Sequence, residues 1–136
     1  MSMTGSVSRK TTTQFFVASA VMEASAGLAL LTTPALVVTL LLASPVTNTG
    51  VAAVAMGRWA GAALLSLGAA CWWARADTGS AASRALVVGM FVYNATVIAV
   101  VLTGTFGAPG RPLLAVLTLA HGAMAAWCVS LLRSRR

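Results

Sequence analysis

The cationic side chains of this chain fall on alternate connections between its apolar runs. Seven of the nine do so: Arg9 and Lys10 precede the first run, Arg75 and Arg84 separate the second from the third, and Arg133, Arg135 and Arg136 follow the fourth. Lys and Arg stay on the cytoplasmic side of inserted segments, so the pattern predicts four membrane spans with both termini in the cytoplasm. The exceptions are Arg111, in a connection expected outside, and Arg58, inside an apolar run.

A chain of 136 residues that is 59% hydrophobic and 8% charged has too little polar side chain to cover a water-soluble domain of this size. The expected fold class is all-α, an integral-membrane four-helix bundle, with one membrane domain over residues 14–133 and a disordered cytoplasmic tail over residues 1–13, rich in Ser and Thr. A net charge of +7 would suit nucleic acid if it formed a patch on a soluble fold. At helix ends it sets topology and meets anionic headgroups, so the expected partner is the lipid bilayer and not nucleic acid. Ala18-Ser19-Ala20 after an apolar stretch imitates a secretory signal, but the length of the run, its glutamate and the three later spans mark a retained first helix. Cys71 and Cys128 lack a C-x-x-C spacing and companion histidines, and read as reduced packing residues.

Windowing places the spans at about residues 14–33, 51–74, 84–105 and 112–132, given a rise of ~1.5 Å per residue across ~30 Å of hydrocarbon. The first apolar run continues to Ala43, roughly 45 Å as one helix and too long for one straight crossing. Thr33-Pro34 resolves the excess: proline cannot donate its amide and crowds the preceding turn, whereas Thr followed by Pro starts a helix well. A kink or a short outer helix over residues 34–43 is predicted. Residues 44–50 and 104–110 read as outer turns and 76–83 as the cytoplasmic turn. Phe15, Phe16, Trp72, Trp73 and Trp127 read as an inner aromatic belt.

Small residues mark where helices can approach: Gly57-x-x-x-Gly61, Ala20-x-x-x-Ala24 with Gly27, and Gly122-x-x-x-Ala126. In a chain this rich in Ala and Gly such spacings do not single out a particular pair.

Polar residues inside the spans carry the informative chemistry. Glu23 lies ~12 Å in from the cytoplasmic end of its span, Tyr93 and Asn94 about as far into theirs, and His121 ~13 Å from the outer end of the last. A charged or strongly polar side chain facing lipid is costly, so residues at one depth are expected to turn inward and satisfy one another. Arg58 either reaches this cluster or snorkels outward beside Trp59. As structural glue, Glu23 held by Arg58 or His121, with Tyr93 and Asn94 as hydrogen-bonding partners, would fix helix register. As a functional site, the five residues would line a cavity in which Glu23 binds a proton, a cation or a ligand head, a device common in transporters. His121 is the chain's one histidine, so a haem would need its second axial ligand from a homodimer or partner chain. Asn94-Ala95-Thr96 matches a glycosylation acceptor but sits inside a span.

The strings from Glu23 through Gly27 to Leu31, from Pro34 to Val38, from Gly61 through Gly68 to Trp72, Tyr93-Asn94-Ala95 and Leu119-Ala120-His121 together resemble a group of small bacterial four-span membrane proteins. The resemblance covers most of the chain. It implies a bacterial inner-membrane location and a glutamate, Tyr-Asn pair and late histidine that act together, and it supplies no activity. Arg58 stands slightly off the arginine that such proteins carry near the start of the second span. The likeness to small multidrug-resistance transporters and to DoxX-like proteins is architectural: the former share four short helices and a glutamate in the first, but their third- and fourth-helix patterns are missing here.

There is no nucleophile with a paired base, no phosphate loop and no metal-ligand set in a chain with two carboxylates and one histidine. The expectation is a non-catalytic accessory or interaction subunit, with a lipid-like or quinone-like ligand at the polar cluster and a homodimer or partner membrane subunit as company. The alternative is a small proton-coupled transporter using Glu23.

Overall fold

The computed structural model describes residues 3–42, 50–103 and 112–134. These form five α-helices, α1 (Met3–Thr32), α2 (Pro34–Leu42), α3 (Val51–Ala74), α4 (Ala81–Leu102) and α5 (Pro112–Arg133), with no strand among the described residues. Four stretches, Arg9–Thr32, Val51–Ala74, Ala81–Leu102 and Pro112–Arg133, are 22 or 24 residues long and apolar enough to cross a membrane. At ~1.5 Å per residue they reach about 33–36 Å, sufficient for ~30 Å of hydrocarbon. The chain is thus an all-α, multi-pass membrane protein. Large apolar side chains such as Val21, Leu28, Trp59, Val92, Val116 and Leu119 are exposed, which suits helices that contact lipid. Exposed hydroxyls on these helices are satisfied locally: Thr32 donates to the Leu28 carbonyl, Ser66 to that of Ala62 and Ser130 to that of Trp127.

Two boundaries differ from expectation. The first helix begins at Met3 and not near residue 14, so residues 3–13 form its first turns. Thr12 is fully buried, and the Thr13 hydroxyl donates to the Arg75 carbonyl at 3.3 Å. Once Thr12 and Phe15 are packed, the helix extends outward cooperatively through residues with no apolar signal of their own. The fourth helix starts at Ala81 because Ser80 caps it, its extended backbone (φ −78°, ψ 163°) letting its side chain accept from the Ser83 amide at 3.1 Å. The expected break before Pro34 is present and is a single residue, Thr33. The Thr33 carbonyl accepts from Val37 at 3.2 Å and so opens α2, while its amide and hydroxyl both donate to the Ala29 carbonyl and close α1. Pro34, without an amide hydrogen, cannot continue that ladder. The expected outer turns at 44–49 and 104–110 lie outside the described residues.

The helices fall into two compact units, whose boundaries lie within α1 and within α3. The first unit holds the early part of α1 to Ser19 and the chain from Cys71 onward. Its centre is the α4–α5 pair. Buried positions recur on α4 at Ser83, Val87, Met90 and Asn94, and on α5 at His121, Met124, Cys128 and Leu131. One antiparallel register that sets Asn94 against His121 brings the other three pairs level in turn. Phe15 and Phe16 belong to this interior and not to a lipid-facing belt: both are fully buried, 5.5 Å apart, and Phe15 meets Trp127 edge-on at 5.7 Å. Trp72 and Trp73 remain exposed. Arg75 lies 3.6 Å over the Trp72 ring and also donates to the Trp72 carbonyl, closing the C-terminal end of α3 with a cation–π contact. Cys71 and Cys128 are both buried free thiols.

The second unit, Ala20–Ala70, packs α1, α2 and α3 through small residues. A Cβ on Gly27 would stand 2.7 Å from the Gly61 carbonyl oxygen, one on Gly68 2.9 Å from the Ala24 amide nitrogen, and one on Gly57 3.2 Å from Pro34 Cβ. Moving forward along α1 thus moves backward along α3, an antiparallel crossing with the backbones in contact. Two of the three small-residue motifs do mark a helix contact. At Gly122 an added Cβ meets nothing within 4 Å, and Ala126 is exposed, so the third motif does not.

Candidate functional site

The most organised polar group in the first unit is built from α4 and α5. Asn94 and His121 occupy the buried stripes of their helices, and both are almost wholly removed from the surface, at 0% and 6% exposure. A polar side chain there must find partners within the protein. Asn94 finds two. Its Nδ2 donates to the Met90 carbonyl one turn back at 2.7 Å, and its Oδ1 lies 2.7 Å from His121 Nδ1.

These two contacts settle the proton positions. Turning the Asn94 amide over would set its oxygen against the Met90 carbonyl oxygen, two acceptors at hydrogen-bonding distance, so the nitrogen faces Met90. The Oδ1 that faces the imidazole can only accept, and Nδ1 of His121 is therefore the donor. In the neutral ring this leaves Nε2 with its lone pair. Tyr93, the residue before Asn94, presents its ring to the imidazole edge-on, with centroids 5.5 Å apart and planes at 79°. Tyr93, Asn94 and His121 are thus brought together, as their common depth in the sequence suggested they should be.

Glu23 belongs to the second unit. It is 3% exposed and shares the inner stripe of α1 with Ala20 and Gly27, so its carboxyl is withdrawn from the lipid-facing surface. Arg58 is exposed on α3 next to Trp59, itself 71% exposed, with the outward placement expected of a snorkelling side chain.

Sequence reasoning overlooked one contributor to this group and two buried hydroxyls elsewhere. The Met90 carbonyl orients Asn94, and its only signal is the four-residue spacing on one helix face. Ser19 and Ser83 are buried with hydroxyl oxygens that find no hydrogen-bond partner among the described residues, and their ordinary small-residue character gave no sign of it. Among the described residues no three His, Cys, Asp or Glu side chains gather into a metal-binding group. Comparison with protein-family models, curated proteins and solved structures finds no match.

Proposed function

We propose that this chain is a non-catalytic accessory or interaction subunit of the bacterial inner membrane, with both termini cytoplasmic, that holds a lipid-like or quinone-like ligand at Tyr93, Asn94 and His121. The observation that supports this reading most is the Asn94–His121 hydrogen bond between two buried side chains, with Tyr93 edge-on to the imidazole. A buried polar pair inside a membrane is costly unless it is satisfied, and here one nitrogen of the pair is left with an acceptor site to offer. The resemblance to small bacterial four-span proteins, with their Tyr-Asn pair and late histidine, supports the inner-membrane location and the grouping of these residues, and supplies no activity. Company from a second copy or a partner membrane subunit is part of the proposal.

The burial of Glu23 favours a second reading, a small proton-coupled transporter in which this carboxyl carries the proton. The two readings part in one experiment. The chain is extracted with its native lipid in polymer-bounded discs and its bound small molecules and protein companions are identified by mass spectrometry, with proton flux measured in parallel in proteoliposomes. A retained apolar ligand or a stoichiometric membrane partner, without flux, supports the accessory role. Flux that disappears in Glu23→Gln supports transport.

A further inference from the structure

Resting on that reading of the Tyr93–Asn94–His121 group, we infer that the site selects an apolar ligand carrying a hydroxyl donor, a quinol in preference to the corresponding quinone. Hydrogen-bond polarity sets the preference. The Met90 carbonyl fixes the Asn94 amide and Asn94 Oδ1 fixes the proton on His121 Nδ1, so the neutral imidazole presents Nε2 as an acceptor. Nε2 meets no hydrogen-bond partner among the described residues, although the side chain is more than nine-tenths buried. An acceptor in that position is complementary to O–H and opposed to a carbonyl oxygen, whose lone pairs would face its own.

The surroundings decide what carries the hydroxyl. Met90 and Met124 are buried on the adjoining turns of α4 and α5, and Tyr93 stands edge-on to the imidazole, so the surroundings of the imidazole are apolar and aromatic. Beside His121, Gly122 has open space where a Cβ would stand, which leaves the helix surface low next to the site. An aromatic diol with an apolar tail suits these surroundings. A lipid alcohol such as diacylglycerol shares the hydroxyl donor, and the experiment separates the two sources. No electron transfer is implied; the site discriminates between two redox states by the proton that one of them carries.

Because His121 is the chain's one histidine, 15N-histidine labelling gives an unambiguous spectrum. The full chain is placed in nanodiscs and its tautomer is read first. Decyl-ubiquinol, decyl-ubiquinone and a short-chain diacylglycerol are then titrated, each under conditions that hold its redox state. The expected spectrum shows a protonated Nδ1 and a bare Nε2, and the Nε2 resonance moves with a hydroxyl donor bound about tenfold or more tightly than the quinone, the scale of one hydrogen bond against an unmatched acceptor. Movement by the quinol names that source, and movement by diacylglycerol alone names the lipid. Gly122→Leu should fill the open space and weaken binding while leaving the tautomer spectrum unchanged. A proton on Nε2, or equal or tighter binding of the quinone, overturns the inference and leaves the ligand-binding reading standing. Binding of none of the three probes overturns the inference and removes the quinone-like ligand from the proposed function.

Discussion

Gly27 and Gly61 meet backbone to backbone: a Cβ on Gly27 would stand 2.7 Å from the Gly61 carbonyl oxygen, and one on Gly61 would stand 2.8 Å from the Gly27 carbonyl oxygen. In lipid, helices gain little from hiding apolar side chains and associate through packing of this kind. Gly27→Ala and Gly61→Ala should therefore each destabilise the chain by ~1–3 kcal/mol, the range for overpacking a tight contact. Gly122→Ala, with open space at its Cβ, should stay within about 1 kcal/mol of wild type, its sign set by helix propensity. Reversible unfolding in mixed micelles compares the three; equal effects would show that the α1–α3 contact is not close.

The hydrogen bond between Asn94 and His121 should appear as a coupling energy. Interhelical hydrogen bonds in membranes average ~0.6 kcal/mol and reach ~1.7, so a double-mutant cycle of Asn94→Leu and His121→Leu should return a favourable coupling within that range. Additive single-mutant costs would mean that the two side chains do not support one another.

Phe15 and Phe16 should behave as interior residues. Phe15→Ala removes both the edge contact to Trp127 and a fully buried ring, and should cost about 3 kcal/mol, the low end for such truncations. Trp73→Ala, at a site 77% exposed, should cost far less. Equal costs in micelle unfolding would return Phe15 to a lipid-facing belt.

The orientation proposed from the charges is open to labelling in whole cells. Gly50 and Gly79 each have open space for a side chain, and the native Cys71 and Cys128 are buried, so wild type serves as the blank. With both termini cytoplasmic, Gly50→Cys should react with an impermeant maleimide and Gly79→Cys should not. The reverse pattern would invert the topology.

Much of this fold was legible because membrane physics acts on long segments. Residues 51–74 and 112–133 appear where apolar length and proline placed them, and Pro34 divides α1 from α2 for the reason its missing amide predicts. What escaped was local. Thr12 and Thr13 read as tail because their burial depends on partners far along the chain, and Ser80 announced its cap only through a side chain that reaches the Ser83 amide. Phe15 and Phe16 carry the same letters whether they face lipid or core. The Gly122 motif has the spacing of a contact without the contact, whereas Gly27 and Gly61 have both. The depth rule set Glu23, Tyr93, Asn94 and His121 at one level, and the last three meet in the first unit, but tautomer and polarity needed the Met90 carbonyl.

The central claim, that Tyr93, Asn94 and His121 hold an apolar ligand, is tested most directly by the amount of that ligand bound per chain in native-lipid discs. The measurement compares wild type with His121→Leu, Asn94→Leu and Glu23→Gln, each verified as folded by circular dichroism. The account predicts a ligand near one per chain in wild type and in Glu23→Gln, reduced at least several-fold in His121→Leu and Asn94→Leu. Full occupancy in His121→Leu, or loss confined to Glu23→Gln, would contradict it.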